Sequence, residues 1–481
     1  MKNTMLEMSR YAALARQAVA EGVVLLKNEA VLPLASGGRA ALFGYAQFHY
    51  YKSGTGSGGL VNVTHVSNLP EILGSDGGYR LDAEVQARYA AWLADRPYEM
   101  GTGWAQEPWF QPEMPLDEEF VRAAARRADT AFIVIGRTAG EDQDNTNTPG
   151  SFLLTEGEEN MLALVCRHFK KSVVLLNVGN IIDMRWVMRY NPGAVAYIWQ
   201  GGQEGCRGVL DVLNGTVSPS GKLPDTIAHT PADYPAADHY GADDRNLYAE
   251  DIYVGYRYYD TKQVPVRFAF GHGLSYTEFA YSNLQLSAPA LQDGQTVTVS
   301  MDVTNTGKVA GREVVQLYVR DKNGTPERPS KELRGFAKVL LEPGECKTVT
   351  LTLAARDLSY YEERLHDWFA PSGVYEVMVG RASDDIRLTA ELSFTTEKQI
   401  PFVVTLTTTL GELLTCPKTA PTIMQLLAPL AQSAGTDGLD EGLMNMMKKM
   451  IMEMPLKSLV SVMPGDQIEL LIQQMNLLLA Q

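Results

Sequence analysis

The chain has 481 residues, long for a single core and in the range of two to four domains, and its 45% hydrophobic and 21% charged residues are those of a globular protein able to bury sizeable cores. With 57 acidic against 42 basic side chains the net charge is −15, which repels a phosphate backbone and an anionic lipid surface alike; nucleic acid and membrane are not expected as partners, and a neutral substrate is. Cys166, Cys206, Cys346 and Cys416 are far apart, with neither paired nor metal-ligand spacing, so free thiols in a reducing cytoplasm are expected, and no metal or other cofactor.

The first stretch, MKNTMLEMSRYAALARQAVAEG, mixes charges with apolar residues and lacks the apolar run and small-residue cleavage site of a secretory leader. Apolar runs such as Thr130 to Ile135 are too short to span a bilayer. Over residues 1–230, short β-branched runs alternate with helical patterns. AALFG (Ala40 to Gly44), TAFIVIG (Thr130 to Gly136), SVVLLNVG (Ser172 to Gly179) and AVAYIWQ (Ala194 to Gln200) read as strands buried on both faces. Between them, DEEFVRAAARRAD, TEGEENMLALVCRHF and EGCRGVLDVLNG read as helices, the second opening with a Thr155/Glu158 capping box and the third stopped by Gly215. This spacing predicts an α/β sandwich with a largely parallel sheet covered on both sides.

Residues 231–278 are rich in proline, aspartate and tyrosine and read as a linker. From about Phe279 to 397 strict alternation sets in: Val297, Val299, Met301 and Val303 face one way, and Val315, Leu317 and Val319 repeat the pattern, predicting a β-sandwich of immunoglobulin or fibronectin type III kind. Residues 398–481 read as a helical tail, in which Met444, Met447, Ile451 and Met454 form one apolar stripe away from Lys449, suited to a core or a subunit contact.

Two loops invite a chemical reading. Gly54-x-Gly56-x-x-Gly59 has a dinucleotide-fingerprint spacing, but it lies about nine residues beyond its strand, no helix opens at Gly59, and no acidic residue closes a second strand. A structural glycine loop and a substrate-facing loop both stay open. GRTAGEDQDNTNTPGSFLLT (Gly136 to Thr155) starts at a strand's carboxyl end, where ligands bind in open α/β sheets, and gathers Glu141, Asp142 and Asp144. Asn147 and Leu153 stand where a calcium loop needs glycine and glutamate. A solvated acidic loop is the plain reading. A covered Glu141 could instead donate a proton, since burial raises a carboxyl pKa. There is no GxSxG elbow, no cysteine nucleophile and no paired histidine motif.

Eight segments in order, among them EGVVLLKNEAVLPL (Glu21 to Leu34), KSGTGSGG (Lys52 to Gly59), GRTAGEDQDN (Gly136 to Asn145), WQGGQEG (Trp199 to Gly205), SPSGKLPDT (Ser218 to Thr226) and FAFGHGLSYTEF (Phe268 to Phe279), resemble the second and third domains of family 3 glycoside hydrolases of the β-glucosidase type, over about Ala12 to Thr396. The resemblance implies retaining hydrolysis of terminal β-glycosides at a site between a (β/α) barrel and the α/β sandwich. It implies Glu141, in a Gly-Glu-x-x-Asp loop, as acid/base and Ser57 as a sugar-contacting residue. A barrel of roughly 250 residues with its nucleophilic aspartate has no counterpart in this sequence. The tail segment TTTLGELLTCP (Thr407 to Pro417) resembles a helical tail appended to some members, and the amino terminus resembles that of members with the sandwich first and the barrel last, so descent by truncation is one expectation. The implied roles are the acid/base half of a glycosidase, partnered by a barrel-bearing chain or a second copy, or a non-catalytic carbohydrate-binding or assembly module. The face near Glu141 is expected to expose Tyr50, Tyr51, Trp104 and Trp109, and Glu141 to titrate as an ordinary glutamate when no barrel covers it.

Overall fold

The computed structural model describes residues 8–35, 37–59, 63–141, 144–241, 244–324, 328–433, 446, 449–461 and 463–480. The chain divides into two compact units, Met1–Ser359 with Ala370–Thr396, and Tyr360–Phe369 with Glu397–Gln481.

The first unit begins with a six-stranded sheet of β1 (Val24–Asn28), β2 (Arg39–Phe43), β3 (Arg80–Leu81), β4 (Thr130–Arg137), β5 (Ser172–Val178) and β6 (Ala194–Tyr197), in the order β1-β6-β5-β4-β2-β3. All neighbours run parallel except β1, which lies antiparallel to β6. The four predicted strands are present. The two additional ones, β1 and β3, lie at the edges; β3 has only two residues and carries no readable period.

Every residue of β4 and β5 is buried, and successive side chains face opposite sides of the sheet. Ile133, Ile135, Val174 and Leu176 pack with residues of α3 (Ala83–Ala94), α4 (Glu118–Arg127), α5 (Glu156–His168) and α6 (Arg185–Tyr190). Phe132, Val134, Val173 and Leu175 pack with Ala20 of α1 (Met8–Gly22), Ile72 of α2 (Leu69–Ser75) and Val209 of α7 (Gly205–Leu213). Covering both faces leaves the carboxyl ends of the strands as the open edge on which loops can gather.

Two buried acidic groups fix that edge. The predicted capping box forms: Thr155 Oγ1 accepts from Glu158 N at 3.2 Å, and Glu158 Oε2 accepts from Thr155 N at 2.8 Å. The same carboxylate also receives both terminal nitrogens of the Arg137 guanidinium, one at 2.6 Å, and both side chains are buried. Arg137 further donates to the carbonyls of Ser151 at 3.2 Å and Leu153 at 3.4 Å. One side chain at the end of β4 thus closes the neck of the loop that carries Glu141. Glu113 accepts from Tyr45 N at 2.9 Å and holds the turn that leaves β2. The residue as a whole is half-buried, but its carboxyl is enclosed, and burial followed by the neighbouring Glu158 charge pushes it up to about 8.

Residues 231–278 do more than connect. They contain a short helix, Tyr256–Lys262, and β8 (Val266–Phe268), which pairs with β7 (Ile227–Ala228); Tyr259 is buried, and His272 Nε2 lies 3.1 Å from Leu26 O. The β-sandwich follows as β9 (Phe279–Leu286), β10 (Ala290–Gln292), β11 (Thr296–Asn305), β12 (Gly311–Asp321), β13 (Glu332–Leu341), β14 (Cys346–Ala354), β17 (Gly373–Ala382) and β18 (Asp385–Thr395), with β15 (Tyr360–Glu362) and β16 (Asp367–Phe369) belonging to the second unit. A five-stranded sheet, β10-β18-β17-β12-β13, faces a three-stranded one, β14-β11-β9. Val297, Val299, Met301 and Val303 meet Val315, Leu317 and Val319 between them, as the alternation predicts.

In the second unit Leu410, Leu413, Ile423, Leu456, Ile468 and Met475 form a small core. Of the methionine stripe, Met444 and Met447 lie outside the described residues; Met454 packs on that core, whereas Ile451 and Lys449 are exposed. Among the described residues no helix is long and apolar enough to cross a membrane.

Two measurements check the buried acids. Replacing Arg137 by Met strands the Glu158 carboxylate inside the protein and should cost about 3–5 kcal/mol in urea unfolding, with Arg137→Met/Glu158→Leu recovering part of the loss. For Glu113 the folded value of about 8 lies above the ordinary carboxylate value of 4.5. Its contribution is therefore complete below the unfolded value and lost as pH rises through the folded one. Stability should fall between those limits by on the order of 1 kcal/mol per pH unit, and Glu113→Gln should flatten that slope.

Candidate functional site

From β2 the chain passes outward to β3 and then crosses back to β4 on the other side of β2, so the strand order reverses between β2 and β4. Such a reversal opens a crevice at the strands' carboxyl ends. Both loops singled out in the sequence leave from there: the Lys52–Gly59 loop follows β2, and the Glu141 loop follows β4.

The loops are stitched together by main chain. Thr55 and Gly140 form a parallel bridge, and Thr55 N donates to Ala139 O at 2.8 Å. At the tip, Ser57 N donates to Glu141 Oε2 at 2.5 Å. Gly56 has φ +70°, and a side chain there would begin 2.4 Å from the same carboxylate oxygen. Only glycine satisfies both the left-handed backbone and the close approach. The structure therefore brings Glu141 and Ser57 into direct contact.

Glu141 is exposed, but it does not titrate as an ordinary glutamate: the Ser57 backbone N–H, then the Ser57 side chain, hold it below the usual carboxylate value. A hydrogen bond to the charged form is enough to lower a pKa in full solvent. Among the described residues no charged group contributes to that shift. Asp142 lies outside the described residues, and the exposed Asp144 hydrogen-bonds with the Tyr240 hydroxyl, away from this contact.

The expected aromatic face is only partly exposed. Tyr50 and Tyr51 are buried because each anchors the start of the glycine loop: Tyr50 OH accepts from Gly201 N at 2.8 Å, and Tyr51 main chain pairs with the Asn177 carboxamide. Trp109 is half-buried, with its carbonyl accepting from Thr138 N at 2.9 Å. Trp104 stays exposed.

Three residues that hold the site were not anticipated. Asn177, at the end of β5, accepts from Tyr51 N at 2.7 Å and donates to Tyr51 O at 3.0 Å and Trp199 O at 2.6 Å. A lone amide in the run SVVLLNVG signals a fixed buried partner, as does the arginine that ends TAFIVIGR, since buried polar groups are paired. Glu113, between two prolines, carries no comparable signal.

Residues 23–276 match the glycosyl hydrolase family 3 C-terminal domain, and residues 313–383 match the fibronectin type III-like domain. The chain is 44% identical over 393 residues to a beta-glucosidase of Ruminococcus albus, covering 80% of this chain and 40% of that protein. It is 33% identical over 494 residues to the thermostable beta-glucosidase B of Acetivibrio thermocellus, covering 99% of this chain and 61% of that one. The solved beta-glucosidase 3B of Thermotoga neapolitana in complex with glucose superposes with a TM-score of 0.74 at 36% identity, over 81% of this chain and 55% of that chain. The chain spans about half the length of the relatives it matches. Sheet order, paired loops and matched domains together make this chain a member of glycosyl hydrolase family 3, represented here by the family's C-terminal domain and a fibronectin type III-like domain.

Proposed function

We propose that this chain supplies the acid/base half of a β-glucosidase-type site for terminal β-glycosides, with Glu141 as proton donor and Ser57 turned to the sugar. A barrel, on this polypeptide or on a partner chain, brings the nucleophile. The observation that carries this reading is the stitched pair of loops at the β2/β4 reversal, which offers one carboxylate at a fixed point of a family 3 domain. The four free thiols support work in the cytoplasm.

In the first step Glu141 gives its proton to the glycosidic oxygen as that bond breaks, while the barrel carboxylate attacks the anomeric carbon. In the second, ionised Glu141 takes a proton from water as that water's oxygen bonds to the anomeric carbon and the bond to the barrel carboxylate breaks, which releases the sugar with retained configuration. The Ser57 N–H favours the ionised form and so serves the second step. Covering by a barrel, with its nearby negative charge, raises the pKa and serves the first.

Two experiments test this. In a complex of this chain with a barrel from a relative, Glu141→Gln should lower turnover of substrates with poor leaving groups by about 10²- to 10⁴-fold and that of activated aryl glycosides far less. Equal losses would remove Glu141 from the role. In the chain alone, NMR titration should place Glu141 below an ordinary glutamate, and Gly56→Ala should move it upward by displacing the carboxylate from the Ser57 N–H.

A further inference from the structure

Glu113 takes no part in the proton transfers at Glu141, yet it stands at the root of both loops. Its own segment is fixed: the Gln111 carboxamide accepts from Glu99 N at 3.1 Å and donates to Glu99 O at 3.0 Å, and Met114 is buried in the core. The Glu113 carboxyl accepts from Tyr45 N, at the turn that carries the chain out of β2. Its Cβ lies against Gly157 in the first turn of α5, where a side chain would begin 3.1 Å from it. That turn is the one that Thr155 caps and that Glu158 joins to Arg137. One carboxyl therefore sits between the start of the Ser57 loop and the neck of the Glu141 loop.

The β2 turn has little slack with which to absorb a shift at its root. Tyr45, Ala46 and Gln47 are all buried, and Gln47 Nε2 donates back to Gly44 O at 2.9 Å. Gly136, near the end of β4, has no room for a Cβ, which would fall 2.6 Å from Ala46 and 2.7 Å from the Tyr51 ring. The turn and Tyr51 thus press on the same β4 backbone. Tyr45 also stacks on His49 at 5.0 Å, and Tyr98 bridges onward, 5.2 Å from His49 and 6.3 Å from Tyr51 between ring centres. From Tyr51 the chain runs on to the Thr55 bridge and the Ser57 N–H.

Of the titratable groups gathered here, Glu113 is the one placed to change charge above neutral pH. Its carboxyl interacts with Glu158 of α5, Arg137 of β4, Tyr45 and Tyr51 of the β2 loop, and Tyr89 of α3. Arg137 is committed to Glu158, burial pushes the three tyrosines up, and burial pushes His49 toward its neutral form. Neutral, Glu113 can accept from Tyr45 N and stay enclosed. Ionised, it becomes an enclosed anion beside the Glu158 carboxylate, and an uncompensated charge of that kind is driven toward water.

We propose that Glu113 is a positioning residue: in its neutral form it holds the β2 turn so that Ser57 N–H meets the Glu141 carboxylate, and on ionising it releases that contact. Its bearing on catalysis rests on the acid/base role proposed above for Glu141; the coupling between turn and loop does not.

The test titrates the full chain from acid to alkaline pH and reads the Glu113 carboxyl and the Ser57 amide together by NMR. The Ser57 amide should move once as Glu141 ionises in the acid range, and again with the midpoint of Glu113 itself, at about 8. Because the folded value is raised, the contact is complete below it and lost above it. Glu113→Gln keeps a carbonyl for Tyr45 N and cannot ionise, so it should abolish the second step and hold the Ser57 amide in its contact position at high pH. Glu113→Leu keeps no acceptor and should leave that amide in its released position throughout. A Ser57 amide that stays still while Glu113 titrates, a second step that survives in Glu113→Gln, or an ordinary carboxylate value for Glu113 would each overturn the proposal. Equal losses for good and poor leaving groups in Glu141→Gln, with the second Ser57 step intact, would remove the catalytic reading and leave the positioning role standing.

Discussion

The Arg137 guanidinium sets the geometry on which the site depends. It sits at the last residue of β4, buried, with Glu158 neutralising it and the Ser151 and Leu153 carbonyls taking further bonds. Removing two charges from water costs several kcal/mol per ion unless partners compensate, so a buried pair is a poor sign of added stability, and what it shows is which groups it holds together. Here the arrangement selected is the neck of a loop. The loop's tip can stand in solvent and still be placed, because both ends of it are tied to one rigid side chain and to the amino end of α5.

From that neck outward the organisation is one of main chain more than side chain. The β2 and β4 loops meet through a backbone bridge, a backbone donor reaches the carboxylate, and glycine at Gly56 and Gly140 lets the strands of loop come together. Asn177 extends the same logic by offering its carboxamide to Tyr51 as a neighbouring strand would. A site built this way has little freedom to adapt within the domain. Adaptation falls to whatever faces it.

Much of this was legible in the sequence, and the exceptions have physical reasons. Strands buried on both faces announce themselves as unbroken β-branched runs, so β2, β4, β5 and β6 could be placed within a few residues; β3, with two residues, has no period to read. The alternation of Val297 to Val303 fixed the sandwich face because one side of an antiparallel sheet meets water. The proximity of Ser57 to Glu141 came from family resemblance and not from any local pattern. The exposure of Tyr50 and Tyr51 was misjudged because a sequence does not reveal that a ring flanking a glycine loop is anchoring it. The lowered titration of Glu141 was equally hidden, since its cause is a single N–H from another loop.

The Ser57–Glu141 contact joins residues 84 apart in the chain. Closing so long a span carries an entropic penalty that only the completed β2–β4 pairing can offset. The contact is therefore absent from any partly folded chain in which that pairing has yet to form. Glu141's proton affinity then becomes a reporter of whether the parallel sheet has closed.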